Sequence, residues 1–255
     1  MPKAEPLLSC YAGAVKTRID KLLVERGLAP SRERAQAMIL AGKVLANQQK
    51  VEKPGTTVDA DAVIRLLGED MRYVSRGGLK LERALDHWHI DVRGRICMDI
   101  GASTGGFTDA LLQAGAARVH AVDVGAGQLD WKLRTDPRVA LHEGINARAL
   151  KFEDIGERVD FIACDVSFIS VTLILPAAVP LLQPAGQMVI LIKPQFEAGR
   201  GQVGKGGIVR EPAVHQAACE RVAQAVRALG FETSMMESPI LGAEGNKEFL
   251  LYAHH

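Results

Sequence analysis

From Arg18 the apolar positions of RIDKLLVERGLAPSRERAQAMIL fall at helical spacing in two short runs. Ile19, Leu22 and Leu23 share one face and Gly27 closes that helix. Ser31, after Pro30, offers a cap for a second helix through Leu40, whose apolar face is Ala35, Met38 and Ile39. Beyond Gly42 the period shortens to two. KVLAN and VIRL alternate weakly on either side of the turn-like KPGTT, which predicts a small sheet packed on the helix pair. LGEDMRYVSRGG, residues 67–78, shows little periodicity and reads as a polar connection. The remainder alternates in type: the strand-like runs RICMDI, RVHAVDV, VDFIACDV, MVILIK and KEFLLYAH are interleaved with helical periods in FTDALLQAGA, an apolar helix around TLILPAAVPLL, and the amphipathic EPAVHQAACERVAQAVRALG. Such alternation predicts an α/β domain with a mostly parallel sheet and helices on both faces, preceded by a small α+β domain. The expected boundaries are 16–68 for the first domain, 69–78 for a linker and 79–255 for the second.

Composition sharpens this in three places. The net formal charge of the 255 residues is only +1, but residues 1–68 alone carry 11 Lys or Arg against 7 Asp or Glu, so basic charge is concentrated at the front. Arg18, Lys21, Arg32, Arg34 and Lys43 are left for the outside of the helix pair, where they suit backbone phosphates or form an ordinary solvated face. Cys10, Cys97, Cys164 and Cys219 stand far apart without a CxxC pair, so spacing suggests neither a metal site nor a disulfide framework. The first residues lack the apolar core of a secretory signal, and no run approaches the length of a membrane span. The expectation is therefore a cytoplasmic protein without membrane association.

In an open parallel sheet, ligands bind beyond the carboxyl ends of the strands, and Asp99, Asp123, Asp165 and Lys193 each fall near such an end. The turn in MDIGASTGGF, residues 98–107, has no GKS or GKT ending to serve a nucleotide phosphate, and its Gly101, Gly105 and Gly106 do not make GxGxxG. An acid at Asp99 disfavours a pyrophosphate and favours a positively charged group, so the turn suits S-adenosylmethionine better than a dinucleotide. Asp123 is placed to accept hydrogen bonds from ribose hydroxyls. Ser103 and Phe107 complete the expected cofactor turn. The same glycines are also compatible with nothing more than a tight turn and close helix packing.

Two resemblances add to this reading. The order helix, GLAPSRERA, helix, AGKVLAN resembles the S-four-type RNA-binding domain, with NQQK at residues 47–50 in place of that family's usual hairpin turn. YVSRGGLKLERAL, MDIGASTGGFTDALLQAGA, VDVGAGQLDWKLR, CDVSFIS, IKPQFEAGR and GKGGIVREP together resemble the haemolysin A (TlyA) family, whose catalytic domain is a Rossmann-like, FtsJ-type methyltransferase. The resemblance runs from about Lys16 onward and implies transfer of methyl from S-adenosylmethionine to ribose 2'-hydroxyls on cytidines of 16S ribosomal RNA, 23S ribosomal RNA or both. It carries a tetrad onto Lys80, Asp165, Lys193 and Glu248, with Asp165 also beside the cofactor. A ribose hydroxyl is a poor nucleophile, so a group must take its proton as the bond forms, and Lys193 is the candidate base. Lys80 adds positive potential beside it, and Asp165 and Glu248 orient the two side chains.

Ribosomal RNA and ribosomal subunits are the implied partners, no metal is expected, and the oligomeric state is left open. Arg76 beside Lys80, and Arg200 and Lys205 in the glycine-rich EAGRGQVGKGGIVREP, are expected along the RNA path. Phe107 and Phe168 follow strand ends, where core packing is the expected role. Competing readings are a ribosome assembly factor that binds RNA without turnover, a membrane-active haemolysin, and a dinucleotide-dependent enzyme.

Overall fold

The computed structural model describes residues 16–66, 72–199, 201–242 and 245–255, apart from the side chain of Lys205. Arg200 therefore lies outside the described residues, as does the Lys205 side chain. The chain divides into two compact units between Asp70 and Met71.

The first unit follows the predicted pattern. β1 (Lys16–Arg18) leads into α1 (Ile19–Glu25), and α2 (Arg32–Leu40) is capped by Ser31, whose Oγ accepts from the Arg34 backbone N–H at 3.3 Å. Four short strands follow: β2 (Val44–Ala46), β3 (Gln49–Lys50), β4 (Thr57–Asp59) and β5 (Ile64–Leu66). β2 pairs antiparallel with both β3 and β5, and β1 with β4. The β2–β3 hairpin turns through Asn47 and Gln48, both at positive φ, the backbone that a two-residue hairpin of this twist requires. Ile19, Leu22, Leu23, Ala35, Ile39 and Val44 form the core of this unit.

The second unit begins with α3 (Gly77–His87), whose Leu81, Ala84 and Leu85 recur at helical spacing and are buried. A seven-stranded sheet follows, with its helices: β6 (Ile96–Ile100), α4 (Gly106–Gln113), β7 (Arg118–Asp123), α5 (Trp131–Arg134), β8 (Val139–Glu143), α6 (Phe152–Ile155), β9 (Val159–Cys164), α7 (Leu175–Ala178), β10 (Leu182–Ile192), α8 (Pro194–Glu197), α9 (Pro212–Ala228), β11 (Glu232–Glu237) and β12 (Phe249–His254). The strand order is β11-β12-β10-β9-β6-β7-β8. β10, β9, β6, β7 and β8 run parallel, while β12 and β11 are antiparallel additions at one side. Because β6 has β7 on one side and β9 on the other, the strand order reverses at β6, and a crevice opens beyond the carboxyl ends of these strands. One apolar layer packs α7 and α9 on the sheet and the other packs α3 and α4.

Three expectations need correction. Residues 72–78 are not a free linker: Tyr73 is buried in the core of the second unit, Val74 N–H donates to Asp109, and α3 has started by Gly77. TLILPAAVPLL is not one helix but a chain of single turns, Val171–Leu173, α7 and Val179–Leu181, since Pro176 and Pro180 each remove a backbone donor. β8 and β11 lack a solid apolar run, so pattern alone passed over both; the sheet edge leaves them half exposed, and pairing to β7 and β12 defines them.

Candidate active site

The turn between β6 and α4 is built on close approaches. Gly101 has φ +86°, and a Cβ there would stand 2.4 Å from the backbone oxygen of Asp165. Gly105 has φ +98° and caps α4, and a Cβ there would meet the Leu133 side chain at 2.2 Å. Gly106 lies against Ser75 and the start of α3, so the SRGG and STGG segments pack glycine to glycine. Ser103, at φ +48°, sends its N–H to Asp123 Oδ2 at 2.7 Å, while Asp123 Oδ1 accepts from Gly125 N–H at 2.7 Å. Asp123 ends β7 with its carboxylate fixed by two backbone donors and its remaining lone pairs toward the cavity it lines.

Two cavities meet at this turn. The larger, of 530 Å³, is lined by Gly101, Ser103, Asp123, Asn146, Asp165 and Phe168 together with an apolar wall that includes Ile145 and Ile174. The smaller, of 190 Å³, is lined by Ser75, Lys80, Ser103, Gly106, Asp165 and Lys193. Gly101, Ser103, Asp165 and Ser167 border both.

Lys80, Asp165 and Lys193 line the smaller cavity, and with Glu248 behind Lys80 the four residues of the expected tetrad form two ion pairs. Lys80 Nζ, on the covered face of α3, donates to Glu248 Oε2 at 2.5 Å, and both side chains are nearly sealed from solvent. Lys193, immediately after β10, donates from Nζ to Ser167 Oγ at 2.8 Å and stands 2.5 Å from Asp165 Oδ1 without hydrogen-bond alignment to it. Gly242 backs Glu248 so closely that a Cβ there would stand 2.4 Å from Glu248 Oε1.

Asp99 departs from its expected role. It lies within β6 rather than at its end, is fully buried, and its Oδ2 accepts from Thr108 Oγ1 of α4 at 2.7 Å. Burial, the largest cause, pushes its carboxyl up to about 7. It is absent from the lining of both cavities, so it anchors α4 to the sheet, and the acids that face the cavity are Asp123 and Asp165. Phe107 is 3% exposed in the core, with an edge on the smaller cavity. Phe168 is the opposite of a core residue: it is 91% exposed, has φ +65°, and packs on Phe196 at a centroid distance of 5.1 Å at the mouth of the larger cavity. A bulky residue at positive φ stays there only when its surroundings hold it.

Those surroundings include a residue that sequence reasoning missed. Glu197 is 4% exposed; its Oε1 accepts from Val171 N–H at 2.8 Å and its Oε2 from Ser170 Oγ at 2.5 Å. It thereby ties α8, which follows Lys193, to the 165–171 segment that carries Asp165, Ser167 and Phe168. Asn146 and Gln128 were also missed. They sit in loops after β8 and β7, and since β8 has no clear pattern its end could not be located. Arg76 is exposed and donates to the Leu241 carbonyl at 3.2 Å, at the start of α3. In the first unit, Lys21, Arg34 and Lys43 are exposed, whereas Arg18 and Arg32 are both bound to Asp20. Among the described residues no group of three or more His, Cys, Asp or Glu could hold a metal ion, and no helix is long and apolar enough to cross a membrane.

Comparison with known proteins agrees with this architecture. Residues 73–255 match the FtsJ-like methyltransferase family and residues 17–64 match the S4 domain. The chain is 49% identical over 241 residues to the provisionally named rRNA methyltransferase YqxC of Bacillus subtilis, covering 94% of this chain and 86% of that one. It is 46% identical over 241 residues to the 16S/23S rRNA (cytidine-2'-O)-methyltransferase TlyA of Mycobacterium tuberculosis, covering 94% and 90%. A solved structure from Streptococcus thermophilus, provisionally named a hemolysin, superposes with a TM-score of 0.72 at 47% identity, covering 94% of this chain and 88% of that one.

Proposed function

This chain belongs to the FtsJ-like methyltransferase family, in its haemolysin A (TlyA) branch with an S4 domain, and from that premise we propose that it methylates the ribose 2'-hydroxyl of cytidines in ribosomal RNA with S-adenosylmethionine as donor. The observation that carries the reading is the smaller cavity, where the Lys80–Glu248 and Lys193–Asp165 pairs stand beside the larger one.

The larger cavity fits the donor. Its volume of 530 Å³ suits a nucleoside with a short side chain. Asp123 offers acceptors for ribose hydroxyls, the apolar wall offers a bed for an adenine, and two lining carboxylates favour a cation and disfavour a diphosphate. S-adenosylmethionine supplies a methyl group on a sulfonium, open to displacement by an oxygen nucleophile.

The chain's own residues do the rest. Asp165 borders both cavities and sets the meeting point of donor and acceptor. Ser167 and Asp165 hold Lys193 Nζ at the wall of the smaller cavity, where in its amine form it takes the proton from the 2'-hydroxyl as the oxygen attacks. Lys80, fixed by Glu248, keeps a second positive charge beside the oxygen as negative charge builds on it. Phe168 offers an exposed ring at the mouth for a base turned out of its stack. The S4 domain supplies RNA affinity through basic side chains, and the chain acts in the compartment where ribosomal subunits mature.

The test is transfer of labelled methyl from S-adenosylmethionine to purified 30S and 50S subunits, followed by mapping of 2'-O-methyl sites. Wild type should modify at least one subunit. Lys193→Ala should lose transfer by about 100-fold or more while retaining cofactor affinity. Cofactor binding without transfer to either subunit would favour an RNA-binding protein without turnover.

A further inference from the structure

We propose that Asp20 is a positioning residue for RNA binding, holding the guanidinium groups of Arg18 and Arg32 as a fixed fork for the phosphates of an RNA strand; the inference rests on the RNA-binding reading of the first unit. Asp20 lies in the first turn of α1 and is completely buried, an unusual place for a carboxylate in so small a unit. It collects three side chains. Arg18 reaches it through both Nε at 3.0 Å and Nη2 at 2.8 Å, Arg32 through Nε at 3.0 Å, and Gln36 through Nε2 at 3.1 Å. These bonds, that to Arg18 foremost, hold its carboxyl well below the usual carboxylate range, so it stays ionised.

The two arginines come from different elements, the end of β1 and the first residue of α2, and Asp20 is the point that joins them. Its own side chain is 0% exposed, whereas theirs are 43% and 46% exposed. Arg18 spends one edge of its guanidinium on the carboxylate, and Arg32 spends only Nε. Arg18 Nη1 and both terminal nitrogens of Arg32 make no hydrogen bond among the described residues. Two cations on one carboxylate leave a net positive charge on two half-exposed guanidinium groups whose planes the carboxylate fixes. A planar guanidinium matches a phosphate through paired donors, and one already held in place loses less freedom on binding than a free side chain does.

The proposal predicts an effect opposite in sign to that of charge alone. Removing a carboxylate from a phosphate-binding unit makes it more positive and should tighten RNA binding. If Asp20 positions the fork, Asp20→Asn weakens it. The full-length protein is titrated into a fluorescein-labelled RNA hairpin at two salt concentrations, with Glu25→Gln as a control that removes the same charge from the exposed end of α1. Expected are a loss of about 5- to 10-fold in affinity for Asp20→Asn, with a shallower salt dependence, and unchanged or tighter binding for Glu25→Gln. Asp20→Asn is also introduced into the Arg18→Ala/Arg32→Ala double variant, where it should cause no further loss. Tighter binding by Asp20→Asn, or a loss that persists without the two arginines and so reflects damage to the fold, overturns the proposal. Failure of the wild type to bind RNA at all would remove the RNA-binding reading itself.

Discussion

At Gly101 the backbone of the turn between β6 and α4 runs against the backbone of Asp165, closer than any side chain would permit. One residue thus fixes the separation between the β6 turn and the carboxylate that borders both cavities. Gly101→Ala would place a methyl group 2.4 Å from the Asp165 carbonyl oxygen at a φ of +86°. We expect it to destabilise the second unit by about 1–3 kcal/mol and to weaken cofactor binding, measured by thermal unfolding and by titration with S-adenosylmethionine. An unchanged melting temperature and affinity would mean that the turn yields more easily than its contacts imply. The acid of MDIGAS was expected to face a positive ligand, but side-chain alternation along β6 turns Asp99 under α4, where it holds Thr108. The cavity's negative character comes instead from Asp123 at the end of β7 and Asp165 just beyond β9, the two strands that flank β6.

At the scale of elements, the site depends on how the 165–171 segment is held. Asp165, Ser167 and Phe168 all lie on it without regular secondary structure, and Glu197 of α8 binds its far end. Lys193 immediately precedes α8, so the clamp sets both sides of the Lys193–Asp165 contact. Glu197→Ala should lower kcat for methyl transfer by on the order of 10-fold, with cofactor affinity changing far less, and Glu197→Gln should recover part of the loss because one oxygen acceptor remains. A parallel loss of cofactor affinity in both variants would show that Glu197 merely supports the fold.

Elements with strong periods were legible beforehand. α1, α2, α4 and α9, and the central strands β6, β7, β9 and β10, all stand where the apolar pattern put them, whereas α3 begins inside a stretch read as a polar connection. β8, β11 and the broken turns around α7 were not, because an edge strand needs only one apolar face and prolines interrupt helices without removing their apolar composition. The glutamate clamp left no local signal either, since IKPQFE says nothing of what lies opposite its last residue.

Across the whole molecule, two separate cores underlie two separate tasks. The core around Leu23 and Ile39 belongs to the first unit alone, and the layers flanking the seven-stranded sheet belong to the second. Ile39→Ala should therefore destabilise the first unit by about 2–5 kcal/mol and reduce RNA affinity while leaving cofactor binding intact. Calorimetry beside cofactor titration checks this; a matching fall in cofactor affinity would show that the two units do not fold independently.

By itself the sequence determined the division into a basic front and an α/β rear, the parallel strands and the glycine turn, because all of these are written in local period, composition or contiguous motifs, while the candidate tetrad came only through the resemblance to a family. Only the tertiary structure decided which acids face the cavities, that Lys80 pairs with Glu248 and Lys193 with Asp165, that Phe168 stands in solvent, and that Asp20 joins two arginines. Each of those depends on residues far apart in the chain meeting across strands and helices, and on which face of an element is covered, a matter of long-range packing that no local pattern encodes.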